Sequence, residues 1–152
     1  MSEEYEKDFD GWNMVKKNVD RKNIGKNFYF YAREIWWGSL GLNIGAESDG
    51  KNDLFERPLL ILKVFNKEML WCLPITSTIK DLPFYYKIKF NNESRSVLVT
   101  QIKTISSKRL LRKVEKMNDK DFNEIVNRVI SFLKSETPTN CGGISEPEGD
   151  NI

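Results

Sequence analysis

Early in the chain the apolar residues Tyr5, Phe9, Trp12, Val15 and Val19 follow one another at steps of four, three, three and four, the spacing of a single helix face. They predict an amphipathic helix from about Glu3 to Ile24, stopped by Asn23 to Gly25, with Phe9 and Trp12 packed on the rest of the molecule. Residues 27–42 (NFYFYAREIWWGSLGL) are aromatic and β-branched and predict one or two strands. Between Gly41 and Asp53 the pattern lapses after Ile44, and the Asp49-Gly50 turn pair predicts a long, mobile loop. Two short apolar runs, PLLILKVF (58–65) and MLWCLPI (69–75), are joined by Asn66-Lys67-Glu68 and predict a hairpin of buried strands. FYYKIKF (84–90) alternates apolar with basic positions up to an Asn91-Asn92 turn, and SVLVTQI (96–102) completes the set. Asn118 is placed to cap a helix in which Phe122, Ile125, Val126, Val129, Ile130 and Leu133 share one face.

Five or six short strands with a helix at each end predict a mainly β (α+β) fold, a small antiparallel barrel or curled sheet covered by helices. The composition divides the chain into a helical extension (1–26), a barrel domain (27–134) and a tail (135–152) without periodicity, expected to be disordered.

Charge sharpens this division. The first ten residues hold five acids and one lysine, and residues 135–152 hold four acids and no base. Residues 11–134 hold 23 basic and 13 acidic residues, a net charge of +10 within a chain whose total is only +2. A basic body between acidic ends suits a polyanion such as nucleic acid, and equally a merely solubilising surface. The absence of histidine excludes a Ser-His-Asp or Cys-His relay and any zinc site with histidine ligands. Cys72 and Cys141 form no metal or redox motif and fit a reducing cytoplasm. No stretch approaches the roughly 20 apolar residues of a membrane span, so no membrane partner is expected.

Candidate chemistry must therefore come from carboxylates, cations and hydroxyls. Proline after Arg57 forces that residue into extended geometry at the start of a buried strand, fixing a guanidinium at its rim. There it can grip a phosphate bidentately, or pair with a carboxylate such as Glu56 or Glu47. Thr76, Ser77 and Thr78 end the next strand, where hydroxyls either bind a phosphate oxygen or cap their own backbone. Glu47, in the loop, can orient Arg57 or accept a proton. The Lys/Arg-rich run 103–116 and the aromatics Tyr29, Tyr31, Trp36, Trp37, Tyr85 and Tyr86 suit phosphate contacts and base stacking on single-stranded RNA, or else a solvated face and a core. Gly41 to Gly45 match neither a P-loop nor a dinucleotide fingerprint.

The order R-E-I-W-W-G-S-L-G-L-N-I-G-A-E (33–47), E-R-P-L-L-I-L (56–62), L-P-I-T-S (73–77), S-V-L-V-T-Q-I-K-T-I (96–105) and K-R-L (108–110) resembles the MazF/PemK toxins of bacterial type II toxin-antitoxin systems. The resemblance covers about residues 28–133. It implies an SH3-like barrel that forms a homodimer, needs no metal or other cofactor, and cleaves single-stranded mRNA at specific sequences through the RNA's own 2′-hydroxyl. By that resemblance Arg57 falls on the family's catalytic arginine, Thr76 on its active-site hydroxyl and Glu47 on its loop glutamate, and a cognate antitoxin is the expected protein partner. These three are expected to be catalytic, with Ser77, Thr78, Lys80, Gln101, Lys103 and Lys51 contacting the RNA. Some members carry an arginine and an acid just before the glutamine. Here that stretch is Leu98-Val99-Thr100, and Lys103 replaces an arginine, removing its planar fork. The missing acid leaves an alternative open, a non-catalytic toxin that binds a protein target such as DNA gyrase.

Overall fold

In the computed structural model, residues 5–135 are described. The expected acidic tail, apart from Ser135, lies outside the described residues. Helix α1 (Phe9–Asp20) precedes the strands β1 (Glu34–Ser39), β2 (Glu56–Val64), β3 (Met69–Thr76), β4 (Tyr85–Phe90), β5 (Glu93–Leu98), β6 (Lys103–Ser106) and β7 (Leu110–Lys116). Helix α2 (Asp119–Lys134) closes the described chain, and a 3-10 turn (Ser107–Arg109) links β6 to β7. All pairings are antiparallel, in the order β4-β5-β3-β2-β1-β7, with β6 added to β3. The fold is thus the expected curled antiparallel sheet of SH3-like kind, with a helix at each end.

β3 explains the curl. Its first half, Met69 to Cys72, pairs with β6, whereas Ile75 and Thr76 pair with β5, so one strand serves two sheets. Both faces of the β2–β3 hairpin are consequently covered. Leu60, Leu73 and Ile75 join Ile88, Val97 and the α2 residues Ile125 and Val129 in one core. Leu59, Ile61, Leu70 and Cys72 join Phe30, Trp36, Ile105 and Leu110 in the other. Burial on two faces is why these strands read as continuous apolar runs rather than alternating ones.

Several boundaries differ from expectation, each for a local reason. α1 starts only at Phe9 because the Asp8 carboxylate caps it by accepting the Gly11 N–H (2.8 Å). Of the residues read as its apolar face, Trp12 and Val19 are buried, while Phe9 is 49% exposed and does not anchor the helix. In residues 27–42 only β1 forms, since Arg33 takes a positive φ of 74° and the buried Glu34 carboxylate turns back to accept the Tyr31 N–H. The 96–102 run is cut after Leu98 by the turn at Val99-Thr100, and the basic run beyond it folds into β6 and the edge strand β7. The Asn91-Asn92 hairpin forms as expected, with both residues at positive φ. Asn118 caps α2 through the Asp121 N–H (2.8 Å), yet Ile130 and Leu133 face solvent and Phe132 packs on the core instead.

Candidate active site

The hairpin register pairs Leu59 with Pro74; continued two residues outward, it sets Arg57 level with Thr76. Main-chain carbonyls fix the Arg57 guanidinium there. Its Nε donates to the Asp49 carbonyl (2.5 Å) and its Nη1 to the Ile75 carbonyl (3.1 Å). Arginine has five N–H donors, so a second Nη1 hydrogen and the Nη2 pair remain for a ligand. Burial pulls the guanidinium pKa below its ordinary value, opposed by the nearby Asp49 carboxylate. Arg57 is thus held by main-chain carbonyls and pairs with neither Glu47 nor Glu56; Glu56 is taken by Arg112 in a two-pronged ion pair (2.9 and 3.1 Å). Thr76 is half-buried, and its Oγ1 accepts the Thr78 N–H (3.2 Å), which leaves its own hydroxyl hydrogen to donate. Ser77 and Thr78 follow, exposed, on the same rim.

A separate cleft of about 370 Å³, whose lining includes neither Arg57 nor Thr76, lies between loop residues Ala46, Glu47 and Ser48, the strand residue Pro74, Thr100 to Ile102 and the first residue of β6, Lys103. Glu47 is exposed on its wall and accepts the Ile44 N–H (3.2 Å). Thr100 lines the same cleft. Gln101 is committed at both ends of its amide: Oε1 accepts the Ser48 N–H (2.7 Å) and Nε2 donates to the Ala46 carbonyl (3.1 Å). Half-buried Lys103 donates to Asn43 Oδ1 (3.0 Å). Its pKa is lowered by burial and then by the Arg109 charge, with Glu47, Cys72 and Asp49 opposing. Lys51 and Lys80 lie apart. Exposed Lys51 sits on the turn its backbone makes with Glu56 (2.8 Å in both directions), and Lys80 lies over the Tyr85 ring in a separate groove with Lys87 and Arg128.

The 41–53 segment, expected to be mobile, is instead pinned along its length. Gly50 donates to the Gly41 carbonyl (2.7 Å), Gly41 to the Phe55 carbonyl (3.0 Å), and Asn43 N–H to Asp49 Oδ1 (2.6 Å). Arg109 Nη1 holds the Ser39 and Leu40 carbonyls (3.0 and 3.2 Å), and Lys7 Nζ holds the Asn43 carbonyl (2.6 Å) and Asp49 Oδ2 (2.7 Å). Sequence reasoning missed Asn43, Asp49, Arg109 and Lys7 in these positions. Asp49 looked like plain turn chemistry and Arg109 like one cation in a basic run. Lys7, the lone base among five acids, was the one available signal.

The family model for the PemK-like, MazF-like toxin of type II toxin-antitoxin systems matches residues 31–133. The chain belongs to this family. MazF from Deinococcus radiodurans superposes with a TM-score of 0.58 at 19% identity, over 70% of this chain and 98% of that one. An endoribonuclease in complex with its cognate antitoxin, from a mycobacterial species, superposes with a TM-score of 0.54 at 15% identity, over 72% of this chain and all of that one. The Mycobacterium tuberculosis toxin MazF-mt6 gives 0.54 at 17% identity, over 69% of this chain and 100% of that one. Comparison with curated protein sequences gives no match. For this MazF-like toxin the matched span contains Arg57, Thr76, Glu47 and the whole cleft, while α1 and Lys7 precede it. No helix among the described residues is long and apolar enough to cross a membrane.

Proposed function

We propose that this toxin is a sequence-specific, metal-independent endoribonuclease of single-stranded mRNA, with Arg57, Thr76 and Glu47 as its catalytic residues. The observation that carries this reading is the Arg57 guanidinium, fixed by two carbonyls level with Thr76 and left with unused donors. In RNA the nucleophile comes with the substrate. Cleavage forms a bond from the 2′-oxygen to the adjacent phosphorus and breaks the bond from phosphorus to the 5′-oxygen, leaving a 2′,3′-cyclic phosphate and a 5′-hydroxyl. The protein has to hold the phosphate in line, take the 2′-hydroxyl proton and stabilise the negative charge that develops.

Arg57 supplies the charge stabilisation, and the Thr76 hydroxyl holds a non-bridging oxygen. Glu47, on the wall shared with Thr100, takes the 2′-proton in place of the strand acid found in some relatives. The 5′-oxygen leaves with a proton from water or from Arg57. Gln101 and Lys103 act by holding the loop, and Ser77 and Thr78 extend the phosphate-binding rim. A cognate antitoxin would cover this basic face with an acidic segment that folds on binding. Two copies of the chain would pair through apolar surface such as the exposed Ile102, Ile130 and Leu133.

The test is incubation of the purified protein with a long RNA in EDTA, followed by mapping of the new ends. Discrete cuts bearing cyclic phosphate are expected, with Arg57→Ala slowing cleavage by about 10²–10³-fold, the range for loss of one transition-state donor. Uncut RNA, or cleavage indifferent to Arg57→Ala, overturns the reading; growth arrest with intact mRNA would then favour a protein target such as gyrase.

A further inference from the structure

Lys7 and Trp12 precede the region shared with the family, yet both reach the loop that carries Glu47 and holds Arg57. Lys7 Nζ pairs with Asp49 Oδ2 at 2.7 Å, both side chains being about three-quarters covered. The other carboxylate oxygen of Asp49 accepts the Asn43 N–H, and its main-chain carbonyl accepts the Nε–H of Arg57. A continuous chain of contacts thus runs from the N-terminal segment through one aspartate to the guanidinium.

Trp12 secures the two ends of the same loop. Its ring lies on Gly41, which has a φ of +83° and where a Cβ would sit 2.3 Å from the ring, and meets the edge of Phe55 at 5.7 Å between centroids. Gly41 N–H bonds the Phe55 carbonyl, so the tryptophan covers the closure of the loop. Arg109, which holds the Ser39 and Leu40 carbonyls, lies over the same ring, 5.6 Å from its centroid. A segment this long and polar has little apolar surface to offset the entropy of ordering, about 1–2 kcal/mol per residue. Its internal bonds, Gly50 to Gly41 and Asn43 to Asp49 among them, are supplemented from outside it.

We propose that the N-terminal segment is a built-in brace of the active site, in which Lys7 acting through Asp49, and Trp12 acting through Gly41 and Phe55, are positioning residues that set the direction of the Arg57 guanidinium. This rests on the endoribonuclease reading for its catalytic consequence, but the brace itself is a property of the loop. Lys7 reaches the reacting phosphate through two other residues, so its removal should slow the chemical step without weakening the binding of RNA.

The experiment compares wild type, Lys7→Gln and Lys7→Arg in two measurements. In single-turnover cleavage of a long RNA, Lys7→Gln should lower the saturating rate at least tenfold, with the half-saturating protein concentration within about twofold, as expected for misplacement. Lys7→Arg, which keeps the charge, should restore most of the rate. In amide hydrogen exchange, the loop N–H groups of Asn43, Ser48 and Gly50 should exchange at least tenfold faster in Lys7→Gln, while those of β2 and β3 stay unchanged. Unchanged loop exchange overturns the brace. A weakened half-saturation at constant rate also overturns it, since Lys7 would then bind RNA directly. If wild type cuts no RNA, the nuclease reading fails, while the exchange measurement still decides the brace.

Discussion

Trp12→Ala tests whether α1 is structurally part of the toxin or merely attached to it. Trp12 is 8% exposed, and a buried tryptophan removes up to about 250 Å² from water. At about 25 cal/mol per Å² this corresponds to some 5–6 kcal/mol against an extended chain, an upper bound that a compact unfolded state lowers by about 10–40%. The surviving alanine retains a further part, which brings the expected loss to about 3–4 kcal/mol, within the range of measured aromatic truncations. The edge contact with Phe55 and the Arg109 guanidinium on the ring act in the same direction, about 0.5–1.5 kcal/mol each. Urea unfolding followed by circular dichroism gives the value, with the slope showing whether the unfolding unit has changed. A loss below about 1 kcal/mol, or an unchanged midpoint, would falsify the reasoning, because α1 would then undock separately from the sheet.

Two further outcomes concern buried groups. Arg112, then Asn52, lower the Glu56 pKa against the burial that raises it. For Glu34, burial is the largest effect and raises the value, but bonds from Lys113, Trp36 and Tyr31 outweigh it and the net shift is downward. Both folded values lie below the ordinary 4.5, so this stabilisation is complete above about that pH and is lost as pH falls through the depressed values. Glu56→Gln should flatten the acid side of a stability-pH curve relative to wild type, and parallel curves would exclude the effect. Burial pushes the Cys72 thiol up to about 12, only partly opposed by Lys103 and Arg109. In a Cys141→Ser background, a thiol reagent at about pH 8 should leave Cys72 unmodified in the folded protein and react readily in denaturant; rapid labelling of the folded protein would show that the core there opens.

The strands with strong periodicity were legible because their burial is dictated by their own residues. The 58–75 hairpin, the 84–90 strand and the capped C-terminal helix could be read from local chemistry. β7 could not, since Arg112, Lys113 and Lys116 on an edge strand look like a solvated run until β1 is known to lie beside them. Arg57 and Thr76 were legible as a pair only through the hairpin that joins them. The loop was misread because part of its order comes from distant side chains: Lys7 and Gln101 bond it directly, Arg109 holds the Ser39 and Leu40 carbonyls just before it, and no window of sequence contains them together. Gln101 and Lys103, read as RNA contacts, hold that loop for the same reason.

Arg57, the second residue of β2, and Thr76, the last of β3, stand at one end of the hairpin whose Leu59, Leu60, Ile61, Leu70, Cys72 and Leu73 are wholly inaccessible to water. Free energies of local opening follow such burial, and this hairpin belongs with the last structure to yield. Heat should therefore disturb the braced loop bearing Glu47 before it reaches Arg57 and Thr76, whose displacement coincides with loss of the whole fold.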